Sequence, residues 1–143
     1  MSGGYNVIGN QSILSRMVAL TKATSDVTTN QTTTSTSYTN LATTGPSITL
    51  TPGVTQDYIL AGKSYVYSNT GGNNVFAGIS VAGATPLDKY AVTVTSPNNV
   101  SIEAATATIV ASSHANNTSD LLQYRVVSGT GAYQNRVITG WAT

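Results

Sequence analysis

Residues 121–141, LLQYRVVSGTGAYQNRVITGW, limit the fold more tightly than any other stretch of this chain. Two runs rich in β-branched and aromatic residues flank Ser128-Gly-Thr-Gly131, and this is the sequence form of a β-hairpin with a short glycine loop. Gly129 and Gly131 are the residues able to take the positive φ that a tight reversal needs. In the first arm Leu122, Tyr124 and Val126 alternate with Gln123, Arg125 and Val127. In the second, Tyr133, Val137, Thr139 and Trp141 share one parity; Gln134, Arg136 and Ile138 share the other. A hairpin alone is unstable in water, so further strands must cover it.

The rest of the chain supplies candidates for those strands. Residues 47–51 alternate strictly and direct Ile48 and Leu50 inward, and residues 37–42 read as a shorter strand. Residues 57–68 form one long strand or two short ones, with Gly62 as a candidate bulge. Residues 75–81 form a strand centred on Gly78. Residues 90–95 and 102–111 add two more, and residues 112–119 read as a polar loop around His114. Turn signals fall at 43–46, 52–55, 69–74, 83–86 and 96–99. About eight strands at this spacing predict an all-β fold, an antiparallel β-sandwich of jelly-roll type over residues 36–143.

Residues 1–35 differ, and they predict an extended N-terminal arm. Ile13, Leu14, Met17, Val18 and Leu20 make an apolar group, followed by a polar tract over residues 21–36 that can bury little. Two readings stand: a frayed tail, or an arm whose apolar end docks on a neighbouring subunit while the tract spans the gap.

Composition narrows function mostly by exclusion. The chain has 143 residues, enough for one domain with a substantial core. Charged residues are only 8%, against a usual ~25%. Ser, Thr, Asn, Gln and Gly must therefore cover the surface, with little long-range repulsion between copies. The six Lys and Arg are scattered from Arg16 to Arg136 for a net charge of +1, so nucleic acid is not an expected partner. No apolar run reaches the ~18 residues of a membrane helix, and no membrane partner is expected. Cysteine is absent, which leaves the compartment open; the start of the chain lacks signal-peptide character, so the expected site of synthesis is the cytoplasm.

Catalytic chemistry has little to work with. Asp26, Asp57, Asp88, Glu103 and Asp120 are isolated in sequence, and His114 sits among Ala and Asn. No phosphate loop or nucleophile elbow is present, so neither an enzyme nor a cofactor or metal is expected. Arg125 and Arg136 lie on strands of apolar and small polar residues. Each is either an exposed strand residue covering apolar surface with its stem, or a partner for a carboxylate such as Asp120 or Glu103 at a subunit contact. The eight Tyr residues suit a core, an interface or a sugar-stacking face.

Three segments in order, TSTSYTNLATTGPSITLT (34–51), NVFAGISVAGAT (74–85) and YRVVSGTGAYQNR (124–136), resemble small β domains of tailed-bacteriophage virions. The resemblance covers residues 34–141 and implies a virion structural protein with no catalytic residues. It implies foremost a capsid decoration protein that binds the major capsid protein of the assembled head, commonly as a homotrimer. A neck, tail or fibre component is the alternative within the virion. From another class, a carbohydrate-binding module is the alternative if Tyr residues and Trp141 share one exposed face.

Overall fold

A computed structural model describes residues 21–50, 56–105, 109–114 and 118–142. Among the described residues ten strands form two antiparallel sheets packed face to face, so the expected all-β jelly-roll sandwich is what the chain adopts. The strands are β1 (Thr21–Val27), β2 (Gln31–Thr33), β3 (Ser47–Thr49), β4 (Gln56–Ser68) and β5 (Asn73–Ser80), then β6 (Val92–Ser96), β7 (Ile102–Ala105), β8 (Ile109–His114), β9 (Ser119–Val126) and β10 (Gly131–Ala142). The first sheet runs β1-β10-β4-β7, with β2 beside β10 and β8 beside β4; the second runs β3-β9-β5-β6.

Period-two patterning builds both inner faces. In β9 Leu122, Tyr124 and Val126 are fully buried, while Leu121, Gln123 and Arg125 between them are partly exposed. They meet Leu60 and Val66 of β4, Val75, Ala77 and Ile79 of β5, and Tyr133 and Ile138 of β10, with Ile48 and Leu50 closing the core near β3. Ile48 and Leu50 are thus inward, as their alternation requires.

Several expectations need correction. The closing pair of strands is not a hairpin: β9 pairs with β3 and β5, whereas β10 pairs with β1, β2 and β4 in the other sheet. The loop at 127–130 arches across the sandwich, and the two arms meet through side chains, with the Tyr124 and Tyr133 rings 4.6 Å apart. An arch and a hairpin share the same glycine loop. What separates them is that both arms have buried faces, and these gain more by opposing each other across the core than by lying side by side.

The second correction lies inside β10. Gln134 is opposite Tyr65 and Val137 opposite Lys63, so β10 carries one extra residue there. Asn135, exposed and at φ 48°, is the bulge. Parity switches across it: Tyr133 points inward, but beyond it Arg136, Ile138 and Ala142 are the buried ones and Val137, Thr139 and Trp141 face outward. The bulge expected at Gly62 is therefore on the partner strand, since Gly62 pairs regularly with Ile138.

The third concerns the N-terminal tract. Residues 21–27 pair along β10 from Ala142 to Arg136, and residues 31–33 pair with Tyr133 to Gly131. The polar tract is not a spanning strap; it completes the edge of the first sheet, and the sandwich includes residues from Thr21 onward. Its alternation of small polar residues suits an edge strand with one wet face. Residues 1–20, and with them Ile13, Leu14, Met17, Val18 and Leu20, lie outside the described residues. Smaller differences follow. The strand expected at 37–42 is reduced to a bridge between Thr39 and Tyr124, residues 102–111 divide into β7 and β8, and His114 ends β8 opposite Gln56.

The two glycines of the arch do different work. Gly129 sits at φ 65°, and a Cβ on it would lie 2.5 Å from Thr70 Oγ1. On Gly131 a Cβ would lie 2.6 Å from Val126 Cγ1. Gly129→Val should therefore cost about 1–3 kcal/mol through backbone strain, and Gly131→Val a similar ~1–3 kcal/mol through overpacking. Urea unfolding midpoints test both, and two unchanged midpoints would contradict the arch geometry.

Candidate interaction surfaces

The two sheets present very different outer faces. On the second sheet, Phe76, Gly78 and Ser80 of β5 point away from the core yet are buried. The connection at 81–91 folds back over them. A Cβ on Gly78 would stand 2.6 Å from Pro86 Cβ and 3.0 Å from the Tyr38 ring, so only a bare Cα lets this cover approach. A single 3-10 turn over Asp88–Tyr90 then returns the chain to β6.

Arg125 clamps that cover. Its guanidinium lies 3.7 Å from the centre of the Phe76 ring and 5.5 Å from that of Tyr38. Its Nε donates to Asp88 Oδ1 at 3.0 Å, and its Nη2 donates to Asp88 Oδ2, making a two-point pair. The expected carboxylate partners were Asp120 and Glu103; the partner is Asp88, from the same chain. Asp120 of β9 is instead buried, and its Oδ1 accepts from the N–H of Ala82 in the covering segment at 3.0 Å. The guanidinium hydrogen bonds hold the Asp88 carboxyl below its usual 3.8, and burial pushes the Tyr38 phenol upward, with the Asp88 carboxylate adding to the rise. With Asp88 55% exposed, the ion pair contributes ~1 kcal/mol or less. Burial of Phe76 and Pro86 against the sheet contributes more.

Arg136 is fully buried, against the expectation of an exposed or subunit-contact residue. The bulge turns it inward, where Nη1 donates to the Gly45 carbonyl at 3.1 Å and Nη2 to Gln31 Oε1 at 2.7 Å and Thr29 O at 3.5 Å. Tyr124 also donates its hydroxyl to Gly45 O, at 3.4 Å, and the guanidinium stands 5.5 Å from the centre of the Tyr124 ring. Gln31 in turn donates to Thr43 Oγ1 and accepts from the Thr43 N–H. One buried cation thus ties β10, β2 and the loop at 43–46 together through neutral oxygens. Its planar fork suits this branching better than a single ammonium would.

The outer face of the first sheet carries no such cover among the described residues. Register places its side chains in rows: Lys22, Trp141 and Ile59; then Thr24, Thr139 and Ala61; then Asp26, Val137 and Lys63. Farther along β4, Tyr65 and Tyr67 are on the same face and partly exposed. Ile59 is 39% exposed beside the partly exposed Trp141. Adjacent apolar residues on a bare sheet face are more informative than scattered ones. Trp141 had been expected on a strand, but its exposure depends on the Asn135 bulge and has no local sequence signal. Among the described residues no group of three His, Cys, Asp or Glu is placed to hold a metal ion, and no helix is long and apolar enough to cross a membrane.

Folding favours ionised Asp88, so its contribution to stability is whole above the ordinary carboxyl pKa. It is lost as pH falls through the depressed folded value. Between neutral pH and about pH 3 the wild type should therefore lose slightly more stability than Asp88→Asn; urea midpoints at each pH would show it. Replacing Arg136 by Met removes a buried charge but also strands the Gln31 and Thr29 acceptors. A net loss of about 1–3 kcal/mol is expected in the same assay. An Arg136→Met protein as stable as wild type would mean that desolvation of the cation offsets its hydrogen bonds.

No family model matches this chain, and no curated protein does. Among solved structures it is similar to an Eiger TNF from S. frugiperda, with 12% identity, a TM-score of 0.53, and coverage of 87% of this chain and 92% of that one. Weaker likenesses are to the infectious bursal disease virus Gx strain (12% identity, TM-score 0.47, covering 86% of this chain and 32% of that one) and to the C-terminal CBM6 of LamC, a laminarinase from Zobellia galactanivorans (15%, 0.37, 82% and 98%). At these identities the likeness to the Eiger TNF is one of fold alone, and the two lower scores carry no further weight.

Proposed function

We propose that this chain is a structural protein of a bacteriophage virion, a non-enzymatic decoration protein that assembles as a homotrimer and binds the major capsid protein of the assembled head. The observation that carries this reading is the surface. A charge-poor jelly roll covers one sheet with its own chain, and among the described residues nothing covers the outer face of the other, which presents Ile59, Val137 and Trp141. Such a face suits association through buried area, and repetition on an ordered lattice multiplies weak contacts.

The three segments that resemble phage virion domains support it further, because they form one packed unit. β5 pairs with β9, the Val126 N–H donates to Ser35 O at 2.9 Å, the Thr39 and Tyr124 N–H groups each donate to the other's carbonyl at 3.0 Å, and Arg136 reaches Gly45. A second reading is favoured by one observation: Trp141, Tyr65 and Tyr67 share the bare face, as a sugar-stacking surface would require.

Imaging of phage particles with this protein labelled tests the proposal. Label over the whole shell is the expected result. Label at one vertex would move the protein to the neck or tail, and its absence from particles together with glycan binding would establish the second reading instead.

A further inference from the structure

β1 stands at one end of the first sheet. It pairs with β10 on one side, and among the described residues no strand pairs with its other edge. An open edge is a row of backbone donors and acceptors that invites another strand, and folds often blunt it with a bulge, a proline or a very short strand. β1 has none of these: its seven residues, TKATSDV, run opposite residues 142 to 136 without a shift in register. Lys22, Thr24 and Asp26 are exposed on the outer face, where the Thr24 and Thr139 hydroxyls stand 3.3 Å apart; Ala23, Ser25 and Val27 between them are partly buried. A lysine on an edge ordinarily discourages pairing. Here its complement, Asp26, lies four residues on in the same strand and on the same face.

We infer that the open edge of β1 takes the same edge of a second copy, antiparallel and about a twofold axis at Thr24. Two observations select this register. It pairs all seven residues of β1, Thr21 opposite Val27 and Ala23 opposite Ser25. It also sets Lys22 of each copy opposite Asp26 of the other, so two ion pairs form on the outer face. A slip by one residue would turn an outer face inward; a slip by two breaks both ion pairs, and one by four opposes like charges. Among the described residues neither Lys22 nor Asp26 has an ion-pair partner of its own. Lys63 shares the face, but it lies beyond Val137 from Asp26, two strand spacings or about 10 Å away, whereas Lys22 of the second copy is one spacing away. The inference goes beyond the proposed trimer and does not rest on it. A twofold contact is isologous and joins trimers to one another rather than closing one.

The chain has no cysteine, so introduced thiols report the contact alone. In full-length Thr24→Cys, directly opposed Cα atoms would stand ~4.5–5.5 Å apart, within the span of a disulfide. Mild oxidation of the concentrated protein is expected to give a covalent dimer on a non-reducing gel. Lys22→Cys alone should not link, since its own copy lies four residues out of step, roughly 13 Å along the strand. Mixed with Asp26→Cys, it should link. Charge supplies a second test in the Thr24→Cys protein. Adding Lys22→Asp opposes like charges and should slow linking several-fold, and adding Asp26→Lys as well should restore it, because opposite charges then face each other again.

No dimer from folded Thr24→Cys would overturn the inference; the edge is then covered by residues 1–20 of its own chain or left to water. Equal linking by Lys22→Cys alone would reduce the contact to random collision and overturn it too. So would a charge loss that the double exchange does not recover. All three positions are exposed, and circular dichroism checks that the variants keep their strand signal; if the charge variants do not fold, the cysteine pairs decide alone. Particle labelling and the mass of the wild-type oligomer read the virion setting and the trimer separately, so either idea can fail without the other.

Discussion

The extra residue at Asn135 is the constraint on which the rest of the sandwich depends. A strand as long as β10 would otherwise keep one parity throughout. With Tyr133 inward, an unbroken β10 would turn Val137, Thr139 and Trp141 into the core and put Arg136 and Ile138 in water. The bulge reverses this after Gln134. It buries Ile138 and Ala142 in the core cluster, leaves the single tryptophan on the outer face, and delivers Arg136 to the carbonyl of Gly45.

Burying Arg136 is costly unless its donors are met, and the chain meets those of Nη1 and Nη2 while Nε is left without a hydrogen-bond partner. The loop at 43–46, the end of the β1–β2 connection at Thr29 and the side chain of Gln31 all converge on the guanidinium. That convergence lies beside the polar, Thr-rich segment that β10 pairs at the sheet edge, where its small residues alone would bury little. The Tyr124 and Tyr133 rings pack beside it and link the two sheets, and Tyr133 Oη donates to Arg125 O at 2.8 Å. The same β9 strand thus connects the buried arginine to the surface clamp formed by Arg125.

The two outer faces follow from different local chemistry. Gly78 lacks the Cβ that would hold Pro86 away, and Arg125 finds both an aromatic platform and a carboxylate within the connection at 81–91. The second sheet is closed by its own chain. No glycine-floored site of this kind is found on the first sheet among the described residues. Its outer side chains alternate Thr, Lys and Asp with Ile, Val and Trp, a surface that water and an apolar partner can each half satisfy. This contrast is the structural feature on which the proposed reading of association through the first sheet rests.

From the residues alone, the all-β class, the inward positions of Ile48, Leu50, Leu122, Tyr124 and Val126, and the reversal at Gly129 were legible. Alternation and glycine are local signals, and burial of alternate side chains has few other solutions. Which strands pair was not legible. The loop at 128–131 fits an arch as well as a hairpin, and only the competition among all strands for β4 and β5 placed β9 and β10 in opposite sheets. Nor was the inward turn of Arg136 legible, since an Asn at positive φ leaves no mark in a hydrophobic pattern. Residues 21–33 read as a tether because they are polar, yet β10 offers them an open edge whose hydrogen bonds do not depend on side chains. Local sequence set which residues prefer the interior; long-range packing set which edge, which sheet and which face each strand received.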